Sequence, residues 1–170
     1  TLSLIQIFLE SKNSCCQIAK NKYAKNIDMI NIEFSRIIPT EVQIGITYDL
    51  LLQRRHVISH RLAPVFEDHV KFVNSNPYRA WYLAMNNQKA VGTFYLSKEN
   101  TIGINISEIN YEQTVAAIIN YVKNNYSPLP EIKSVRASIF TINVPPTNLS
   151  LIKILEKLDK EIIQICYALE

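Results

Sequence analysis

The chain has 170 residues, of which 48% are hydrophobic and 19% charged, a composition that suits one globular domain and excludes a disordered chain. Only 3 Gly and 7 Pro exclude collagen-like and linker-rich architectures. A net charge of +3, with Lys and Arg scattered, does not argue for nucleic acid, and no apolar run is long enough to span a membrane.

Cys15 and Cys16 are neighbours, Cys166 is far from both, and no C-x-x-C pair exists. Neither a disulfide framework nor a zinc cluster is expected, and a reducing, cytoplasmic setting is. Leu4–Leu9 has no basic segment before it, which argues against a signal peptide. The chain lacks an initiator Met, so an origin in a longer polypeptide stays open.

In chain order, residues 1–26 read as a helical extension, with short helices over Leu2–Glu10 and Ser14–Tyr23, and residues 27–170 as the main domain. Ile30–Ile37 alternates apolar and polar, a strand with one buried face, which Pro39 stops. Thr40 and Gln43 have capping-box spacing ahead of a helix with Ile44, Tyr48, Leu51, Leu52 and Ile58 as its stripe. A second helix starts near Pro64, with Phe66, His69, Val70 and Val73 on one face, and Asn74–Pro77 ends it.

Strands then follow closely: Arg79–Met85, a turn at Asn86–Gln88, Lys89–Leu96 and Thr101–Ser107. Asn110 and Gln113 again have capping-box spacing before a helical stripe of Tyr111, Val115, Ile118, Ile119 and Val122. Ser134–Ile142 reads as a strand, Asn148–Leu158 as a helix and Glu161–Leu169 as a final strand. The order β-α-α-β-β-β-α-β-α-β implies an α/β (α+β) domain whose mixed sheet is flanked by helices.

Common catalytic signatures are missing. No G-x-S-x-G elbow, P-loop or dinucleotide fingerprint is present, which disfavours hydrolase, ATP- and NAD-dependent chemistry. His56 and His60 lie four apart, with Asp68 and His69 beyond, but Val57 stands where H-E-x-x-H needs Glu, so no metal is expected. Tyr78, Arg79 and Trp81, in the most aromatic segment, are candidates for bracketing a sugar or peptide, although Trp81 and Tyr82 must face opposite sides of a strand.

The ending Asn143-Val144-Pro145-Pro146-Thr147-Asn148, Leu155-Glu156-Lys157-Leu158 and Tyr167-Ala168-Leu169 resembles that of the GNAT superfamily, the acyl-CoA-dependent N-acyltransferases. The hairpin Tyr82–Met85 to Ala90–Phe94 is similar to that family's central pair, and the likeness covers roughly residues 30–170. It implies a mostly antiparallel sheet of about six strands with about four helices. It also implies acetyl-CoA as co-substrate, transfer to a primary amine of a small molecule, amino sugar or protein N-terminus, and a general base.

On that resemblance, main-chain groups of Ile104 and Ile106, with Asn143 and Asn148, are the expected cofactor contacts. Glu108, just past the fourth strand, is the expected base, ahead of Glu99 and Glu112. A helix cap alone would also account for Asn148, and a solvated loop acid for Glu108.

Two departures are plain. Ser107–Thr114 has neither Gly nor Lys or Arg where the family binds pyrophosphate, and Leu155 stands where many members carry a Tyr acid. They keep a second reading open, a GNAT-like domain without catalysis that serves as a binding or regulatory module. The last strand, at a sheet edge, is the expected site for pairing with a second copy as a homodimer.

Overall fold

The computed structural model describes residues 31–56, 62–107, 110–167 and 169, within a compact unit, Asn31–Glu170. The expected helices of residues 1–26, together with Ile58, His60 and Glu108, lie outside the described residues. In chain order the elements are β1 (Ile32–Arg36), α1 (Glu41–Leu52), α2 (Phe66–Ser75), β2 (Ala80–Asn86), β3 (Lys89–Leu96), β4 (Thr101–Ile106), α3 (Tyr111–Asn125), β5 (Thr141–Ile142) and α4 (Leu149–Lys157).

The sheet runs β1-β2-β3-β4-β5, antiparallel until β5 joins β4 in parallel. Asn87 and Gln88, both at positive φ, make the tight β2–β3 turn. Strand β2 is buried on both faces because helices cover both. Trp81 and Leu83 pack under α1 and α2 with Ile37, Ile44 and Val73, while Tyr82 points the other way, with Phe94, Ile102, Ile118 and Val122 under α3. Each of these fully buried side chains contributes roughly 1.5–3 kcal/mol.

Local signals act where expected at two helix starts. Thr40 Oγ1 accepts from Gln43 N at 3.3 Å, while Gln43 Oε1 reaches back to Ile38 N at 2.7 Å rather than to the cap residue itself. Asn148 Oδ1 accepts from Leu151 N at 3.1 Å. At the end of α4, Asp159 adopts φ 53° where Gly is usual, and Asp159 N and Lys160 N bond Glu156 O and Leu155 O, a Schellman motif.

Three expectations fail. Leu52 is exposed, because α1 ends there before its stripe completes another turn. The strand expected over Ser134–Ile142 shrinks to Thr141–Ile142. Its first half closes as a turn, Ser134 at positive φ and Ile132 bridged to Arg136, whose side chain bonds Pro130 O and Lys98 O. With so short a β5 to pair with, the described residues of Glu161–Leu169 form no strand, and Ile162, Ile165 and Tyr167 are exposed. The sheet therefore has five strands among the described residues, not six.

Candidate active site

Strands β4 and β5 pair only at Thr101–Thr141 and Ile102–Ile142. Beyond Ile142 the chain meets Pro145 and Pro146, which have no N–H for a ladder, and turns into α4 with Asn148 N bonded to Pro145 O at 2.9 Å. Strand β4 continues, held by β3 on its inner edge through Gly92–Ile106. Among the described residues its outer edge from Gly103 to Ile106 has no strand beside it, and it lines a cleft of about 980 Å³. Unpaired main-chain N–H and C=O groups there suit an amide-bearing ligand.

Gly92 makes this geometry possible. A Cβ on it would lie 2.3 Å from Asn105 O and 2.6 Å from Ile106 Cα, so only glycine lets β3 come this close to β4.

The cleft gathers most of the residues singled out from sequence. Ile104, Ile106, Asn143, Asn148, Tyr78 and Trp81 all line it. Arg79 does not: its guanidinium donates to Ser127 O at 3.0 Å and lies over the Tyr126 ring, in the layer beyond the sheet. Glu112 is engaged by Lys157 from α4 at 3.0 Å, so its charge is offset at the surface.

Sequence reasoning missed Arg54, Thr47, Asn105 and the site role of Tyr111, all of which line the same cleft. A signal for Tyr111 existed in its place at the first turn of α3. Asn148 Nδ2 donates to the Tyr111 hydroxyl at 3.0 Å, leaving that hydroxyl's own proton free to be donated. Burial pushes the Tyr111 phenol up and the Asn148 bond partly opposes this, so it stays protonated at neutral pH.

Leu155 packs in the cluster of Val115, Leu151 and Ile154 together with Tyr111, so an aromatic hydroxyl lies beside the position where the sequence resemblance led to the expectation of a Tyr.

His69, 4% exposed, meets Thr47 Oγ1 through Nε2 at 3.0 Å. Thr47 Oγ1 bonds Gln43 O at 2.8 Å and Ile44 O at 3.0 Å, so its proton is used there. Its oxygen must then accept, which assigns the proton to His69 Nε2. Desolvation lowers the His69 pKa, against an opposing hydrogen bond to the Ile44 main chain.

The unfolded chain therefore takes up this proton first on acidification, and stability falls as pH drops below about 6.5, the unfolded histidine value. Denaturant titrations between pH 7.5 and 5.5 are expected to show this loss in the wild type. A smaller loss is expected in His69→Gln, and equal slopes would remove the account.

A CoA-sized co-substrate fits the residues present in three respects. The β4 edge is open, the α3 N-terminus borders the cleft through Tyr111, and Asn110 adopts φ 55° without spending its side chain as a cap. Absence of glycine therefore does not prevent a positive-φ residue before the helix, and the capping box expected at Asn110 does not form. The fit lacks a cation within Ser107–Thr114. Among the described residues no group of three or more His, Cys, Asp or Glu is placed to hold a metal, and His60 lies outside them.

No family model and no curated protein matches the chain. Solved structures do. A possible acetyltransferase from Clostridium difficile 630 aligns at 14% identity over 82% of this chain and 97% of that one, with a TM-score of 0.51. AAC(6')-Iy in complex with the bisubstrate analogue CoA-S-monomethyl-acetylneamine aligns at 11% identity over 82% and 97%, with a TM-score of 0.53. A domain from Methanocaldococcus jannaschii DSM 2661 aligns at 16% identity over 76% and 88%, with a TM-score of 0.54. The chain has a GNAT-like fold, a mixed and mostly antiparallel sheet flanked by four helices among the described residues.

Proposed function

We propose that the protein is an acyl-CoA-dependent N-acetyltransferase acting on a primary amine of a small molecule, amino sugar or protein N-terminus. The parting of β4 from β5 beside a cleft of about 980 Å³ carries this reading. Acetyl-CoA supplies an activated thioester whose carbonyl carbon an amine attacks directly, with the C–S bond breaking and the thiolate taking a proton. A complex of AAC(6')-Iy with CoA, on the same fold, is in keeping with this co-substrate.

The residues take the following parts. Main-chain groups at Ile104 and Ile106 bind the pantetheine amides, and a β4 N–H stabilises negative charge developing on the thioester oxygen. Asn143 borders the cofactor side, and Asn148 acts by orienting the Tyr111 hydroxyl, which donates the proton to the leaving sulfur. Tyr78 and Trp81 wall the acceptor side, and Glu108 takes the ammonium proton directly or through water. Alignment of amine and thioester supplies much of the acceleration. The proposed setting is cytoplasmic, in keeping with the free thiol of Cys166.

Calorimetry with acetyl-CoA and CoA against a control nucleotide, followed by thiol-release assays on primary amines, tests the reading. Micromolar, CoA-selective binding and amine-dependent thiol release are expected, with Tyr111→Phe slowing turnover more than it weakens binding. No binding and no thermal stabilisation at millimolar acetyl-CoA would overturn it in favour of a non-catalytic binding module.

A further inference from the structure

We propose that the acceptor side of the cleft selects a primary amine that also carries a carboxylate, held by the Arg54 guanidinium and the hydroxyls of Tyr78 and Tyr95. The inference rests on the acetyltransferase reading for the amine, and on the following geometry for the carboxylate.

Arg54 lies just past α1 and lines the cleft. Its Nε is buried without a hydrogen-bond partner. Neither ion pair described, Lys71–Asp68 nor Lys157–Glu112, involves it. Arg54 itself is half-buried, but a charged donor atom taken out of water with no partner is costly unless an anion completes it, and the planar guanidinium fork matches a carboxylate.

Two phenols converge on the same charge. Tyr78 and Tyr95 stack at 3.9 Å between ring centroids and 11° between planes. The Tyr95 ring lies over Gly103, where a Cβ would come within 2.1 Å of its Cζ, so its phenol end sits directly on the open stretch of β4. Among the described residues neither hydroxyl meets a hydrogen-bond partner. Burial raises the Tyr78 pKa to about 12 and raises that of Tyr95, with the Arg54 charge opposing both, so each hydroxyl keeps its proton and is a donor at neutral pH.

The Arg54 cation and two neutral donors complement a carboxylate, and Arg55 adds a second positive charge to the cleft lining. Tyr78 and Tyr95 belong to the layer under α1 and α2, across the sheet from the α3 and α4 cluster, and Arg54 follows directly on α1. Among the described residues lining the cleft, Asp68 is the acid, and it is paired with Lys71 at 3.2 Å. A polycationic acceptor would therefore meet like charge at Arg54 and Arg55.

The test uses the full chain with matched amines: L-amino acids, their carboxamides, the corresponding amines without the carboxylate, and an aminoglycoside. The free amino acids are expected to have kcat/KM values roughly tenfold to a hundredfold above their carboxamides, the range of a charged hydrogen bond. In Arg54→Gln that preference disappears through KM, while acetyl-CoA affinity is unchanged. Tyr95→Phe, which keeps the ring on Gly103, reduces the preference in part and keeps the proposal testable if Arg54→Gln does not fold.

Equal rates on acids and carboxamides, faster turnover of the aminoglycoside, or a preference that survives Arg54→Gln would overturn the proposal while leaving the acetyltransferase reading standing. The converse is also readable. Thermal stabilisation by 10 mM amino acid alone, lost in Arg54→Gln, would support the carboxylate site even if acetyl-CoA failed to bind.

Discussion

Replacing Asn100 by Ala is expected to cost about 3 kcal/mol of stability and lower the melting temperature by roughly 10 °C. Asn100 is wholly buried, just before β4. Its Nδ2 donates to Leu129 O and Ala137 O, both at 2.9 Å, and its Oδ1 accepts from Leu129 N at 2.7 Å. One side chain thereby satisfies three main-chain groups of the irregular segment that leads to β5. The alanine variant leaves the Leu129 groups without partners at roughly 1–3 kcal/mol each, and holds a side chain at φ 63°, where Ala is strained by about 1 kcal/mol.

Urea denaturation of wild type, Asn100→Ala and Asn100→Gly separates the two effects. The glycine variant relieves the backbone strain and should recover about 1 kcal/mol of the alanine loss. A total loss under about 1 kcal/mol in the alanine variant would show that the segment is held by other contacts. The consequence reaches the site, because Asn100 O also accepts from Thr141 N at 3.1 Å and so starts the short pairing of β4 with β5.

Gly92→Ala is expected to damage fold and site together. The added Cβ meets main-chain atoms of β4 at 2.3 Å and 2.6 Å, and main chain cannot swing aside as a side-chain tip can. Relief requires β4 to move off β3, at a cost of about 2–4 kcal/mol by analogy with overpacked cores. The same movement displaces Asn105 and Ile106, the far end of the open edge. The folded fraction is therefore expected to bind acetyl-CoA at least roughly tenfold more weakly, the loss of one good hydrogen bond.

Calorimetry on the variant below its melting temperature measures this, with circular dichroism confirming that it is folded. Undiminished affinity would mean that cofactor contacts do not depend on the β3–β4 spacing, and would weaken the roles proposed for Ile104 and Ile106.

What was legible in the sequence depended on how local its cause was. The Thr40 and Asn148 caps, the Asn87-Gln88 turn and the alternation in β1 are set by a few neighbouring residues. Those elements form within a residue or two of where periodicity places them. The Asn110 capping box had the same spacing and did not form. There the residue enters a left-handed conformation and its carbonyl receives the Thr114 hydroxyl at 2.9 Å. Spacing names the candidates for a cap, but the backbone conformation decides whether one forms.

The site shows the same division. Residues on one regular element could be grouped in advance: Ile104 and Ile106 share a face of β4, and Trp81 was bound to face away from Tyr82. Arg79 could not be placed, since its direction follows from the Ser127 carbonyl and the Tyr126 ring, 47 or more positions away. Arg54, Tyr78 and Tyr95 come from a helix end, a loop and a strand, and no spacing rule joins them.

The amino-acid sequence by itself determined the order of helices and strands from β1 to α4 and the composition of the two faces of the sheet, because periodicity and capping act over a few residues. It also supplied the proline pair that ends β5. Only the tertiary structure decided that β5 would pair for two residues and no more, and that Ser134–Phe140 would turn rather than extend. It alone decided that an arginine and two tyrosines would meet above the open edge of β4. Each of those outcomes is a competition among main-chain hydrogen bonds, buried charge and packing between residues far apart in the chain, and is settled only when they come together.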